Sequence, residues 1–342
     1  CLRRRPGSGS AAASWRFLTA VVGLFGTLTT SADIRAQAQN HEAEGPVEEM
    51  IVVGEVAPAM DVLAGASMTR IEIDERLIEG SRIDDLLSET PGVQIRRFGG
   101  AGDRFEISIR GSRPEQVPVY LDGFRLDTSL TGRSDLSALC LDILQEVQVV
   151  RGAGAARSGS GAIGGVVNLV SRRATSDPET RVRGSVGSFE SFEGSVRHTR
   201  KILELDLSLG YCGFRTEGDF EFQQIASETD GRLTSASPIV RRINNEAERH
   251  TALVQLGHPL AGGSLRLTQL LTDLDRGAPG LGFADQQRTA SREENLSSLT
   301  GLSFDRRIAA LPGGRLQLGL SHRFERESFE DPIPQAASEP ID

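Results

Sequence analysis

The chain has 342 residues, of which 38% are hydrophobic and 25% charged, and its formal net charge is −9 at pH 7. This length suits two domains or one large one, and the composition excludes both a fully disordered chain and a bundle of membrane-spanning helices. The negative charge argues against nucleic acid as a partner, because a phosphate backbone binds basic surfaces.

The N-terminal segment is typical of a secretory signal peptide. Three arginines precede an apolar stretch over residues 17–30, and residues 36–38, Ala-Gln-Ala, offer a small-residue cleavage site. The stretch is shorter than the roughly 20 residues that a membrane-spanning helix needs. A short buried helix is the alternative. We predict a signal peptide over residues 1–38 and export from the cytoplasm.

Residues 39–58 are predicted to form a flexible acidic leader that contains one short β-prone segment. The segment consists of Glu48, Glu49, Met50, Ile51, Val52, Val53 and Gly54. It is either an edge strand of the following domain or a peptide that another protein binds by strand addition.

Residues 59–174 are predicted to form a small mixed α/β domain. Residues 68–73 form a candidate strand, and Ser81 with Asp84 resembles a capping box that opens a short helix. Alternating residues then predict strands in "VQIRRF", "FEISIRG" and "VPVYLDG", the last ending in a turn at Asp122-Gly123. "SALCLDIL" predicts a weak helix, and "EVQVVRG" and "IGGVVNLV" predict two closing strands.

From residue 175 onward the pattern is one of long strands that alternate polar and apolar residues. In "LELDLSLGY", Leu203 to Tyr211 place apolar side chains at every second position, and "RLQLGL" repeats the pattern at residues 315–320. About seven such strands are predicted between residues 180 and 330. A soluble β-sandwich would bury the apolar face, whereas a membrane barrel would turn it toward lipid.

The glycine-rich stretch at residues 151–170 contains G-x-G-x-x-G, formed by Gly159, Gly161 and Gly164. A dinucleotide site requires a helix after the last glycine, so that the pyrophosphate meets a helix N-terminus. Here the following residues, Gly-Val-Val-Asn-Leu-Val, predict a strand. We therefore expect the glycines to permit tight turns and close backbone contacts rather than nucleotide-dependent catalysis.

Four motifs in order resemble the TonB-dependent outer-membrane receptors, namely "EEMIVVGE", "IDDLLSETPGVQIRR", "ISIRGSRPEQVPVYLDG" and "VQVVRGAGAARSGSGAIGGVVNLV". The resemblance covers about residues 48–173 by motif, and later residues by strand pattern. It implies a mainly β protein in which a mixed α/β plug fills a transmembrane antiparallel barrel of about 22 strands. Since residues 175–342 supply only about seven strands and the chain begins with Cys1 in place of Met, we expect this chain to be truncated at both ends.

The resemblance implies energy-coupled uptake of a scarce large solute of the metal-siderophore or cobalamin class across the outer membrane of a Gram-negative bacterium. It implies no enzymatic activity and no cofactor. The partners would be outer-membrane lipid, the solute and the TonB energy-coupling protein, which would bind residues 48–54. The alternative is a soluble periplasmic or secreted binding protein with a plug-like domain and a β-sandwich.

The resemblance also assigns roles to individual residues. Arg110 and Arg151 match positions that pair with barrel glutamates and lock the plug, although they would otherwise be surface arginines. The loops matching the solute-binding apices contain Arg97, Phe98, Arg104, Arg113, Gln116, Phe124 and Arg133, which would otherwise be solvated. The acidic loop with Asp219, Glu221 and Asp230 resembles the calcium loops of cobalamin receptors, but it lacks a fixed ligand spacing.

Two cysteines, Cys140 and Cys212, lie far apart in the sequence. They could pair in an oxidising compartment. Two cysteines so separated are more often unpaired, and the sequence leaves both alternatives open.

Overall fold

The computed structural model describes residues 48–53, 67–99, 102, 104–128, 132–152, 161–224, 238–279, 290–308 and 314–331. The chain divides into two compact units, residues 1–46 and 47–342, and every described residue belongs to the second. The predicted signal peptide, most of the leader, Gly54 and Asp230 therefore lie outside the described residues. None of the helices within these ranges combines the length and the apolar character that a membrane span requires.

The mixed domain begins with a strand and two short helices. Strand β2 (Ser67–Glu72) confirms the strand predicted at residues 68–73, and it is followed by α1 (Glu75–Gly80) and α2 (Ile83–Ser88). The predicted capping box is displaced by one residue. The backbone N–H of Arg82, the N-cap, donates to Asp85 Oδ2 at 3.1 Å, whereas Ser81 ends α1.

The rest of the mixed domain is built from short strands and two 3₁₀ turns. They are β3 (Val93–Arg97), β4 (Phe105–Ile109), η1 (Pro114–Gln116), β5 (Val119–Leu121), β6 (Phe124–Arg125), η2 (Leu141–Ile143), β7 (Leu144–Arg151) and β8 (Gly165–Ser171). The helix predicted in "SALCLDIL" is wrong, since only the three residues of η2 are helical. The Asp122-Gly123 turn is confirmed, and both residues have positive φ values, 52° and 92°.

Two small sheets organise these strands. The larger has five strands in the order β2-β7-β8-β5-β6, and β5 pairs with β8 in parallel. The smaller is the antiparallel β3–β4 hairpin. Phe105, Leu121 and Val147 are fully or almost fully buried between these elements and the helices, so the mixed domain has a core of its own.

A long antiparallel sheet follows the mixed domain. Its strands are β9 (Glu179–Gly187), β10 (Ser191–Ile202), β11 (Leu205–Thr216), β14 (Ala247–Leu260), β15 (Gly263–Gly277), β16 (Arg292–Arg307) and β17 (Arg315–Glu330). We call these seven strands the wall, and they agree with the seven predicted from the alternation. Between β11 and β14 lies a small hairpin of β12 (Glu221–Gln223) and β13 (Ile239–Arg241).

The segment before the mixed domain also forms a strand, β1 (Glu48–Val53), which pairs antiparallel with β17 at the edge of the wall. Its register aligns Glu48 with Glu325 and Val53 with Leu320. The backbone of this segment therefore adds to an exposed strand edge. It is an edge strand of the wall and not of the mixed domain that follows it, so the first alternative is wrong in its choice of sheet.

The two faces of the wall have opposite chemistry. Val186 and Leu318 face away from the mixed domain and are 79% and 55% exposed, whereas Thr251 and Thr268 face it and are at most 1% exposed. This arrangement contradicts the soluble sandwich, in which the apolar face would be buried. One detail of the prediction is wrong, because Leu203 lies in the β10–β11 turn with a positive φ of 55° instead of on the strand face.

Candidate functional site

The glycine-rich segment provides close backbone contacts at the junction of β4, β7 and β8. A Cβ added to Gly164 would lie 2.2 Å from Ser112 Oγ, and one added to Gly165 would lie 2.7 Å from Val150 O. Gly165 opens strand β8 directly. The strand predicted after Gly164 is confirmed, and it stands where a dinucleotide site would need a helix.

The polar face of the wall binds the mixed domain through a cluster around Asp142, a carboxylate of η2 that is 2% exposed. Arg183 of β9 donates to Asp142 Oδ2 at 2.7 Å, and Ser195 of β10 donates to Oδ1 at 2.7 Å. Arg183 also lies 3.2 Å from Glu193. Because the buried carboxylate has both a cationic and a hydroxyl donor, the cluster fixes η2 against β9 and β10.

A second polar cluster surrounds Asp122, which sits in the β5–β6 turn. Ser171 at the end of β8 donates its backbone N–H at 3.1 Å and its hydroxyl at 2.6 Å to this carboxylate. Gln255 of β14 donates to Asp122 Oδ2 at 2.6 Å and reaches Thr268 of β15 at 3.2 Å. The turn is therefore hydrogen bonded directly to β14, and Gln255 links it onward to β15.

A covalent bond also joins the two parts. Cys140, the N-cap of η2, forms a disulfide with Cys212 of β11, and their Cα atoms are 6.5 Å apart. Of the two alternatives left open by the sequence, the structure has the paired one, because chain folding brings together residues that are 72 positions apart. Next to this bond, Arg249 of β14 donates to the carbonyl of Ser137 and stacks over the Phe214 ring at 4.9 Å.

Sequence reasoning missed these contacts: Asp122 was predicted only as a turn residue, and no specific pattern marked Asp142 or Gln255. A partial clue was the position of Asp142, a charged residue within the apolar run "LCLDIL". Charged residues are rarely fully buried unless they are paired. The partners Arg183 and Ser195 could not be named without the wall's position.

The predicted lock residues lie together at one end of β4 and β7. Arg151 is 8% exposed and donates to the Pro91 carbonyl and the Thr69 hydroxyl, both neutral acceptors. Arg110 is exposed, with a positive φ of 54°, and its backbone N–H donates to Gly92 O at 2.9 Å. Within the described part of the chain, neither arginine forms an ion pair with a carboxylate.

The predicted solute-binding residues separate into three environments. Phe98 is 50% exposed at the tip of the β3–β4 hairpin, with the guanidinium groups of Arg96 and Arg104 lying 4.9 and 5.9 Å from its ring centroid. Arg113 is exposed, and its backbone N–H donates to Gln116 Oε1 at 3.0 Å. These residues remain predicted solute contacts.

The second environment contains ion-paired arginines. Arg97 donates to Asp84 at 2.6 Å and to Asp85 at 2.7 Å, and the hydrogen bond to Asp84 raises the pKa of its guanidinium despite partial burial. Arg133 bridges Glu115 at 2.5 Å and Glu106 at 2.6 Å, and the bond to Glu115 raises the pKa of Arg133. Both arginines therefore stabilise the folded mixed domain, and any solute would compete with these carboxylates.

Phe124 occupies the third environment and does not fit the prediction. It is only 4% exposed, because its ring packs against Gly301 of β16, where an added Cβ would lie 2.4 Å away. The glycine leaves a socket in the wall that the aromatic ring fills. Phe124 is thus a contact between mixed domain and wall in place of an exposed apex.

The predicted calcium loop is not supported by the described residues. Asp219 forms an ion pair with Arg241 at 2.8 Å, and Glu221 is exposed on β12. In the described ranges, the one group of three candidate metal ligands is Cys140, Asp142 and Cys212. The cysteines of that group are joined as a disulfide and its carboxylate is paired with Arg183, so this group is not free to bind a metal.

Comparison with known proteins identifies the mixed domain. Residues 60–166 match the family model described as the TonB-dependent Receptor Plug Domain. The mixed domain is therefore similar to this plug domain, and we call it the plug domain from here on. The match falls inside the predicted domain 59–174, whose own boundaries remain a prediction.

A relative of known function extends the similarity beyond the plug domain. The vitamin B12 transporter BtuB of Vibrio cholerae is 31% identical over 195 residues, which cover 56% of this chain and 32% of the relative. The chain therefore spans about a third of the length of the curated relatives that it matches.

Solved structures share the fold of plug and wall. The FrpB iron transporter from Neisseria meningitidis superimposes with a TM-score of 0.61 at 13% identity, covering 81% of this chain and 42% of that one. The alcaligin outer-membrane receptor FauA from Bordetella pertussis gives a TM-score of 0.57 at 16% identity, covering 78% and 40%. These likenesses confirm the predicted fold class, a plug domain with part of an antiparallel barrel, and at such identities they establish the fold alone.

Proposed function

We propose that this chain is part of a TonB-dependent outer-membrane receptor that takes up a scarce large solute by energy-coupled transport, without catalysis. The observation that carries the proposal is the position of the plug domain against the polar face of the wall, whose opposite face exposes apolar side chains. A sheet with lipid on one side and a polar lumen on the other requires this arrangement. A soluble binding protein would not require an exposed apolar face on the wall.

For the solute, the proposal names a metal chelate or a cobalamin. Support comes from relatives whose names specify vitamin B12, ferric enterobactin and alcaligin. Exposed Phe98 with Arg96 and Arg104 would suit an anionic chelate, because an aromatic face and two guanidinium groups complement a planar acidic ligand. This hairpin tip is therefore the first place to look for solute contacts.

For the partner, the proposal names TonB, which would bind Glu48–Gly54 on the periplasmic side. Support comes from the pairing of β1 with β17, since a segment that adds to one exposed strand edge has the backbone geometry to add to another. Arg110 and Arg151 would then lock the plug against carboxylates of the barrel. The neutral acceptors around Arg151 leave its charge uncompensated within the described residues, which supports that assignment.

The test is uptake by the full-length gene product in a Gram-negative host that lacks its own receptors. We expect growth on one member of a panel of ferric chelates, or on cyanocobalamin, that disappears when TonB is deleted. Replacing both Ile51 and Val52 by proline should also abolish uptake, because proline removes the backbone donors needed for strand addition. The control is Glu44→Pro in the leader, which should transport normally. Uptake that persists without TonB would contradict the proposal.

A further inference from the structure

The Cys140–Cys212 disulfide connects the plug domain to the wall at one defined point of the chain. Cys140 lies in the plug domain before η2, Cys212 lies on β11, and both are at most 4% exposed. We propose that this bond is a stop: it divides the plug into a part before residue 140 that force can unfold and a part after it that stays on the wall. The inference rests on the proposed function, in which TonB pulls from the N-terminal side.

The order of elements along the chain gives the stop its effect. A pull on residues 48–54 reaches β2, α1, α2 and β3 to β6 before it arrives at Cys140. At Cys140 the force passes through the disulfide into β11, which is hydrogen bonded on both sides to β10 and β14. Strands β7 and β8 come after this point, so chain tension does not reach them.

Non-covalent contacts surround the bond and position it. Within three residues of Cys140, the carbonyls of Ser137 and Ala138 accept from Arg249 and Thr251 of β14, and Asp142 pairs with Arg183 at 2.7 Å. Hydrogen bonds and ion pairs can break one at a time under tension. The disulfide cannot, so it determines where unfolding ends.

The stop sets a maximum length for the extracted chain. Residues 67–139 number 73, since 139 − 66 = 73, and fully extended they span about 250 Å. Without the bond, unfolding could continue to residue 178, just before β9, which gives 178 − 66 = 112 residues and about 390 Å. The two cases differ by roughly 140 Å of contour length.

The experiment is single-molecule pulling on the full-length protein in a lipid bilayer, with the handle attached at the N-terminal end of the mature chain. Non-reducing peptide mapping of the same preparation should first recover the peptide pair joined through Cys140 and Cys212. We expect extension from the plug to end at about 250 Å, and to lengthen by roughly 140 Å in Cys140→Ser/Cys212→Ser. The matched control is Arg183→Gln, which removes the ion pair to Asp142 but keeps the bond, and its end point should not move.

Free thiols in the map, or equal extension with and without the cysteines, would overturn the stop. Binding of a TonB fragment to residues 48–54 is measured separately on the same protein. If TonB fails to bind while the end point still depends on the cysteines, the proposed function fails and the covalent stop stands. If TonB binds and uptake proceeds while extension passes residue 140 in the oxidised protein, the stop fails and the proposed function stands.

Discussion

At the scale of single residues, some glycines of the wall matter because the absence of a side chain leaves room for a side chain of the plug. The ring of Phe124 packs into the space beside Gly301. Ile143 packs in the same way against Gly210, where an added Cβ would lie 2.7 Å from the Ile143 side chain. A Cβ added to Gly194, also on a wall strand, would make only an ordinary van der Waals contact, 3.9 Å from the Arg183 carbonyl oxygen. Glycines of the same sheet therefore differ in how closely neighbouring side chains pack against them.

Gly301→Ala is accordingly expected to destabilise the protein by about 1–3 kcal/mol, because the methyl group overlaps the Phe124 ring in a filled interface. The measurement is the unfolding temperature of the purified full-length protein in detergent. Gly194→Ala serves as the control and should change it little. Equal unfolding temperatures for the two variants would show that the socket is not tight.

Glu115 provides a prediction for pH. A backbone hydrogen bond, and then the Arg133 guanidinium at 2.5 Å, lower the pKa of this carboxyl below its usual range. A lowered pKa in the folded state contributes stability above the usual value of about 4.3, and this contribution is lost as the pH falls through the lowered pKa. Glu115→Gln should thus reduce the unfolding temperature at pH 7, with the difference closing below about pH 4.

The control for this titration is Glu89→Gln, which removes an exposed carboxylate at the end of α2. It tests whether losing any negative charge has the same effect. A difference between wild type and Glu115→Gln that persists unchanged at low pH would argue against the ion pair as its source.

At the scale of elements, the plug is fastened to the wall chiefly by η2 and the β5–β6 turn. The η2 carboxylate Asp142 receives donors from β9 and β10, and Asp122 in the turn receives one from β14. A buried carboxylate with two donors holds its element firmly in place. Moving the element away from either donor would leave a buried charge without its partner, which is costly.

Asp142→Asn should lower the free energy of unfolding by about 3 kcal/mol, since the mostly buried Arg183 loses the nearer of its two carboxylate partners and keeps only Glu193 at 3.2 Å. Chemical denaturation of the full-length protein measures it. Glu217→Gln makes the same carboxylate-to-amide change in an exposed pair with Arg215, where about 1 kcal/mol or less is expected. A cost for Asp142→Asn no larger than that of the control would mean that η2 is held by other contacts.

Sequence reasoning predicted the elements better than it predicted their contacts. The seven wall strands, β2 and the strand after Gly164 follow from local periodicity, which the sequence displays directly. The burial of Phe124, the pairing of Cys140 with Cys212 and the position of Leu203 depend on which strands become neighbours. Long-range pairing of that kind leaves no periodic signal, so the plug–wall clusters became visible only in three dimensions.

At the scale of the whole molecule, the outward face of the wall predicts a lipid environment. Leu209 lies within β11 and is 37% exposed, while Leu203 lies in the β10–β11 turn and is 94% exposed. In water, a charge at either position would be tolerated. In a bilayer, a charge within the strand is costly and a charge in the turn is not.

Leu209→Arg should therefore cost about 2–4 kcal/mol and reduce the folded protein recovered from outer-membrane fractions, whereas Leu203→Arg should cost about 1 kcal/mol or less. Heat-modifiable migration on gels reports the folded fraction of each full-length variant. Similar recovery of both variants would mean that this face does not meet lipid.

The disulfide also has a consequence for the order of assembly. Its two cysteines lie 72 residues apart, and the donors around it come from wall strands that end by Gly277. Under the proposed function the chain is secreted from its N-terminus onward, so every group needed to seat the plug on β9 to β15 would be exported before β16 emerges. Plug and early wall can therefore become one covalent unit during translocation, before the later strands compete for the same polar face.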